Sequence, residues 1–340
     1  MKKHDAHLRS TPDNVIWGWI AADRAPVLRI ESGKTVRIDT VTHQGINTPK
    51  DPVSFFGAAG IAVGEILPDA SEIHRSIRRE GDAGPHILTG PIHVEGARPG
   101  DMLEVRVLDV EIRVPYGINA TGPRSGALPD LLTAAEQKII RLDLKRNVAL
   151  FASEVEVPLA PFMGIVAVAP PPSLKRVSTK PPGAFGGNID FRHLVKGSTL
   201  YLPVFNDGAL FYTGDGHACQ GDGEVDGTAI EISLTPTLQL IVHSGAGKAM
   251  KWPRAEDGMN FYSMGMANDL DGALKEAIRE AVAFLKGRGL SDSEAYALCS
   301  LAVDFRIGEA VNNVQMVYGV IPKRLFRRQT EYWGTNKSGG

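Results

Sequence analysis

From Val15 onward the chain breaks into short runs in which apolar and polar residues alternate, and each run stops at a glycine, proline or aspartate turn. VLRIES, KTVRIDTVT and PIHVEGARPGDMLEVRVLDVEI come first; SEVEVPLAPF, GIVAVAP, STLYLPVF, GALFYTG and GTAIEISLTPTLQLIVHS follow after Phe151. Alternation of period two with turns every 10 or so residues is the pattern of a β-sandwich or barrel. With 37 glycines and 22 prolines punctuating 340 residues, a long helical bundle is excluded, because these residues break helix interiors. In the run 102–112, Leu103, Val105 and Val107 share one face and Glu104, Arg106 and Leu108 the other, which predicts a half-exposed antiparallel strand after the Pro99-Gly100-Asp101 turn.

The period changes only near the end. Leu270, Leu274, Ala277, Ile278, Ala281, Phe284 and Leu285 recur every three or four residues, which predicts an amphipathic helix opening after Asn268-Asp269 and closing at Gly287 or Gly289. Ser291 and Glu294 form a capping box for a second helix with Ala295, Leu298, Cys299, Leu301 and Ala302 turned inward. The expected fold is mainly β, sandwich- or barrel-like and α+β overall, with C-terminal helices. Its expected divisions are an N-terminal β segment (1–114), an excursion with a loop and a short helix (115–150), a second β segment carrying the site loops (151–265), and a helical region with a tail (266–340).

Charge narrows the partners. Lys and Arg number 37 against 39 Asp and Glu, a net charge of −2, so no surface for a polyanion follows and nucleic acid is not expected. The most apolar stretches, such as 164–169, fall far short of the ~20 residues that span a bilayer, so no membrane is expected. Two cysteines, Cys219 and Cys299, make no disulfide framework and no Cys-x-x-Cys pattern. The start MKKHDAHLRSTPDN lacks the apolar stretch of about 7 to 15 residues of a signal peptide. A cytoplasmic protein is expected.

Chemistry-bearing residues concentrate in glycine-rich loops. The densest is Gly214-Asp-Gly-His-Ala-Cys-Gln-Gly-Asp-Gly-Glu224. In extended chain, residues i and i+2 point the same way, so Asp215 converges with His217, and Asp222 with Glu224. Carboxylate with imidazole is a divalent-metal ligand set, and glycines let backbone close round an ion; a polar hairpin loop with one hydrogen-bonding histidine explains the same residues about as well. In the next strand Glu231 lies on the face opposite Ile230 and Ile232, as an inward acid would. A second loop, 182–190, ends in Asn188 and Asp190 with His193 nearby, and two such loops on neighbouring strand ends can pool ligands. In Gly84-Pro-His-Ile-Leu-Thr-Gly-Pro-Ile-His-Val-Glu95, His93 and Glu95 share a strand face, and His43 in Asp39-Thr-Val-Thr-His-Gln-Gly45 is placed to face the same cleft. No Gly-x-Ser-x-Gly elbow is present. Cys219, close to His217, is a candidate thiolate nucleophile, although a small buried cysteine is the commoner case.

The order of the blocks is more specific than any one of them. The runs 89–105, 161–170, 186–190, 197–204 and 214–224, then Gly289-Leu-Ser-Asp-Ser-Glu-Ala-Tyr-Ala-Leu-Cys-Ser-Leu-Ala-Val-Asp304 and Ile321-Pro-Lys323, strongly resemble the acetamidase/formamidase family over about Trp17 to Phe326. The resemblance implies a mainly β amidase fold with C-terminal helices, usually a homo-oligomer (dimer or higher), that cleaves the C–N bond of small linear amides to a carboxylate and ammonia. Its motifs carry functional roles onto Asp190, Asp215, His217 and Glu224. On that basis the expected metal ligands are Asp190, Asp215 and His217, with zinc as the metal that activates water; the expected catalytic groups are Glu224, Glu231 and His217; and Asn188, His43 and His93 are expected to meet the substrate. Two departures stand out: His43 lies where the family often reads Asp-Cys/Ala-x-x-Gly-Gln, and Ile307-Gly308-Glu309 replaces a common Ile-Thr-Gln expected in the last helix. A larger or cyclic amide, or a non-catalytic metal- or amide-binding subunit, is the alternative reading.

Overall fold

The computed structural model describes residues 4–327. Two extended sheets face each other across one continuous apolar core, to which Leu103, Val105 and Leu240 contribute from one sheet and Phe162, Ile165 and Phe211 from the other. The first sheet has nine strands among the described residues and runs from Ala6–Leu8 at one edge to Asp304–Glu309 at the other. The second has twelve, and the sheets do not close into a barrel. In its middle, Glu231–Ile232, Phe211–His217, Phe162–Val168 and Gly186–Asn188 lie side by side. Phe162–Val168 is buried along its whole length, which is why that stretch reads as a continuous apolar run rather than an alternating one.

The strand Met102–Ile112 pairs antiparallel with Leu234–His243, with Leu103, Val105 and Val107 buried as their alternation requires. Glu104, on the outward face, is buried as well, because Arg106 and His243 both reach its carboxylate. The expected short helix between 115 and 150 is not there. Tyr116–Thr121, Glu136–Asp143 and Val148–Ala152 form successive antiparallel strands at one end of the twelve-stranded sheet. The hairpin closes where the Asp143 side chain accepts from the Lys145 and Arg146 amides and Asn147 turns to a φ of 57°. Two short helices, Pro52–Gly57 and Pro68–Ser76, interrupt the N-terminal strands.

The C-terminal helices are Leu270–Lys286 and Asp292–Ala302. Asp269 caps the first by accepting from the Gly272 amide, and Ser291 with Glu294 forms the capping box of the second. Leu301 does not pack inward; it is 82% exposed. The chain then returns to the sheet: the segment Ile307-Gly308-Glu309 belongs to the strand Asp304–Glu309, not to a helix. Among the described residues no helix is long and apolar enough to cross a membrane.

The first helix lies on the strand Asn260–Ala267 at Gly265, where a Cβ would stand 2.0 Å from the Ala277 amide nitrogen and 2.4 Å from the Ala273 carbonyl oxygen. Neither atom can move without disrupting the helix. Gly265→Ala is therefore expected to cost about 3 kcal/mol and lower Tm by roughly 6–12 °C, whereas Leu301→Ala should stay within about 0.5 kcal/mol. Thermal unfolding of the two variants side by side checks the contrast.

Candidate active site

Four adjacent strands bring the acidic loops together. His217 pairs with Glu231 across one strand boundary. On the other side, Met163 and Ile165 pair with Gly216 and Gly214, which places Gly164 against Asp215. Asn188 pairs with Ile165, and the Asp190 amide donates to the Gly164 carbonyl oxygen at 3.1 Å. Gly164 is the gap that the others surround: a Cβ there would lie 2.5 Å from Asp190 Oδ1, 2.8 Å from Asp215 Oδ2 and 2.8 Å from the His217 ring.

The side chains of this cluster are nearly sealed from solvent. His217 Nε2 is 3.4 Å from Asp215 Oδ2, 3.3 Å from Glu231 Oε1 and 3.9 Å from Glu224 Oε1, and its Nδ1 is 3.9 Å from Asp190 Oδ1. Nδ1 faces Gln220 Oε1 at 2.9 Å, and the Gln220 amide donates to the Asp190 carbonyl oxygen, so one glutamine sets both the ring and the loop. The other Asp215 oxygen lies 3.7 Å from His86 Nε2, and the His86 ring meets His43 edge-on at 5.1 Å between centroids.

Three of the acids sit on left-handed backbone: φ is 43° at Asp190, 58° at Asp215 and 44° at Glu224. Such conformations cost an L residue on the order of 1–3 kcal/mol each and persist where surrounding structure imposes them. Two of them, Asp190 and Glu224, lie in loops, and Asp215 lies within the strand Phe211–His217. By contrast, the turn at Gly223 sends Asp222 outward to the Tyr318 hydroxyl at 2.7 Å, so the expected convergence of Asp222 with Glu224 fails.

Burial drives the electrostatics. It pushes the Asp190 carboxyl well above its ordinary range, and the neighbouring Glu224 and Glu309 push it further. Glu224 is likewise raised by burial, against the pull of His217 and with the push of Glu309. Burial takes Glu231 up to about 7 despite His217. At Asp215 burial is outweighed by His86 and His217, and the carboxyl falls well below its ordinary value. His217 is held well above the usual imidazole value because Glu231 and Asp215 outweigh burial, while burial and His86 take His43 down to about 3.

His43 thus joins the cluster, but His93 does not. It lies near the other end of the strand Ile87–Glu95, paired with Arg29 and packed against the Gly208 backbone; roughly 20 Å of chain separates it from His86. The histidine of that segment in the cluster is His86, which lacks an alternating context to mark it. Glu309 and Asn312 were equally hidden. Gly223 pairs with Glu309 as an isolated bridge, and the Asn312 amide donates to Asp190 Oδ2 at 2.8 Å and to Glu309 Oε2 at 2.9 Å. The only sequence signal was an acid at 309 where the resemblance expects glutamine. His193 turns away to the Tyr318 hydroxyl and stacks on Tyr262. Cys219 packs in the apolar core, and burial pushes its thiol up, away from the thiolate that a nucleophile needs.

The donor set suits a divalent cation. His43 Nδ1, Asn188 Oδ1, Asp190 Oδ1, Asp215 Oδ1, His217 Nε2 and Glu231 Oε2 are buried with no hydrogen-bond partner, a cost that a bound cation or substrate removes. Asp190, His217 and Glu224 present ligand atoms within 4.8 Å of one another, as do Asp215, His217 and Glu231, and His43, His86 and Asp215.

The pattern of the Acetamidase/Formamidase family matches residues 71–179 and 173–328; the chain belongs to this family. It is 28% identical to an acetamidase of Mycolicibacterium smegmatis over 208 residues, 44% of this chain and 51% of that protein, so the match spans about half the relative's length. It is 26% identical to a formamidase of Methylophilus methylotrophus over 293 residues, 64% of this chain and 70% of that one. The fold is shared with the crystal structure of an acetamidase of Bacillus halodurans, at a TM-score of 0.78 and 28% identity, covering 95% of this chain and 99% of that one.

Because a Cβ at Gly164 would press on Asp190, Asp215 and the His217 ring together, Gly164→Ala is expected to weaken divalent-cation retention about 10- to 100-fold. The check is metal content after dialysis against graded chelator. Unchanged circular dichroism would show that the loss is local.

Proposed function

We propose that this chain hydrolyses the C–N bond of a small linear amide, releasing a carboxylate and ammonia, with a divalent cation, zinc in our reading, held by Asp190, Asp215 and His217. The observation that carries the proposal is the sealed cluster beside Gly164, where six buried atoms lack partners: three on carboxyls, two on imidazoles, and the Asn188 amide oxygen. The similarity to acetamidases and formamidases supports the choice of substrate. A cation at these ligands supplies Lewis acidity toward an amide carbonyl and toward water.

The protein groups do the rest. Asn188 Oδ1, unpartnered and buried, accepts from the amide N–H of the substrate. His43, kept neutral by burial, turns its free Nδ1 toward the same space, its Nε2 lying 3.2 Å from Gln44 Nε2. Glu224 takes the proton from the attacking water as its oxygen bonds to the carbonyl carbon. When the C–N bond breaks, the same carboxyl gives that proton to the departing nitrogen, which leaves as ammonia. Its raised affinity for protons suits both halves of this cycle. Glu231, within 3.3 Å of His217 Nε2, holds the imidazole and stands as the second proton carrier. The reading includes a cytoplasmic homo-oligomer, supported by two unpaired cysteines and by exposed Tyr296 and Leu301 on the last helix.

The deciding experiment is ammonia release from formamide, acetamide and propionamide, with and without chelator. Activity on at least one amide, lost on chelation and restored by zinc, is expected; silence on every amide, or full activity with an empty site, refutes the respective halves of the proposal. Glu224→Gln should lower kcat about 10²- to 10⁴-fold. Cys219→Ser should retain activity, and its inactivation would restore the thiolate mechanism. Light scattering tests the oligomer.

A further inference from the structure

A cavity of about 360 Å³ opens beside the cluster, and its lining includes Trp17, Asn47, Thr48, His74, Arg78 and Arg79. The segment from His43 to Asn47 joins the two places: the His43 carbonyl accepts from the amides of Ile46 and Asn47, and Ile46 borders both this cavity and the narrow apolar one that reaches Glu231. Trp17, on the other wall, donates to the Pro85 carbonyl next to His86.

The side chains of the two compartments differ in kind. The interior holds Asp190, Asp215, Glu224, Glu231 and Glu309. The cavity holds two arginines and a histidine, with no aspartate or glutamate in its lining. Glu80, next along the chain, is committed to Arg176 and Trp19. The Arg78 guanidinium turns back to the His74 and Ile77 carbonyls, while Arg79 is exposed and makes no ion pair or hydrogen bond among the described residues. A substrate entering here with one negative end meets a cationic partner in this cavity, at Arg79, and its neutral amide end is left to enter the cluster. A wholly uncharged amide as small as acetamide would leave the cavity unused.

We infer that this cavity binds the anionic end of the substrate, so that the amides preferred by this chain are monoamides of short dicarboxylic acids, with Arg79 as the group that sets the preference. The inference rests on the hydrolase reading above. It is tested by comparing kcat/KM for succinamate and glutaramate with that for uncharged butyramide and valeramide. A preference of about tenfold or more for the charged series is expected, the range of a charge-assisted hydrogen bond, and it should shrink as salt rises. Arg79→Gln should collapse the ratio mainly through KM, and Arg79→Lys should restore part of it, which a merely structural role would not do. Equal kcat/KM on the two series, or a ratio unmoved by Arg79→Gln, overturns the inference while leaving the hydrolase reading intact. If no amide is turned over, that reading fails instead, and calorimetric binding of succinate and glutarate to the wild type and Arg79→Gln decides the cavity alone: binding weakened by the substitution sustains it, and no binding or unchanged binding overturns it.

Discussion

Five carboxyl groups are packed out of water in one cluster with three histidines, and the rest of the site is arranged around the cost of burying them. Desolvation drives Asp190, Glu224 and Glu309 toward the protonated form, and neighbouring carboxylates push Asp190 and Glu224 further, while His86 and His217 keep Asp215 ionised. A buried polar cluster left partly unsatisfied is worse than an apolar core, so a fold that retains this one is explained by something that binds in it. The sheet supplies rigidity: Asn188, Asp215, His217 and Glu231 sit on adjacent strands whose neighbours are fixed by pairing, and Asp190 and Glu224 lie in loops held at Gly164 and next to Gly223.

Strain and emptiness serve the same end. A residue at 164 with any side chain would press on Asp190, Asp215 and His217 together. Three left-handed acids, two in loops and Asp215 within a strand, hold their conformations at an energetic cost that the surrounding structure imposes. The segments that complete the cluster come from distant parts of the chain: His43 and His86 from before the first long strand, and Glu309 and Asn312 from the return after the helices.

That separation explains how much was legible. Alternation of apolar residues marked the strands because a sheet with one buried face imposes it, and the caps at Asp269 and Ser291 marked the two helices because their hydrogen bonds are local. The stretch around 136–152 was opaque: its polar surface is that of an edge hairpin exposed to water, and no periodic apolar face distinguished it from a helix. Among site residues, Asp215, His217 and Glu224 stood out because glycines flank them in one loop, whereas His86 and Glu309 carry no local mark. His93 shared the composition of a site residue and lies at the far end of the same strand.

The sequence by itself determined the period, the turns, the helix caps and the family, since each depends on residues within a few positions or on motifs in a fixed order. Only the tertiary structure decided which acids and imidazoles share one space, that Gly164 leaves that space open, and that a cationic cavity lies beside an acidic interior. Those outcomes depend on strand register and on loops that meet from opposite ends of the chain, and no local pattern encodes the distance between them.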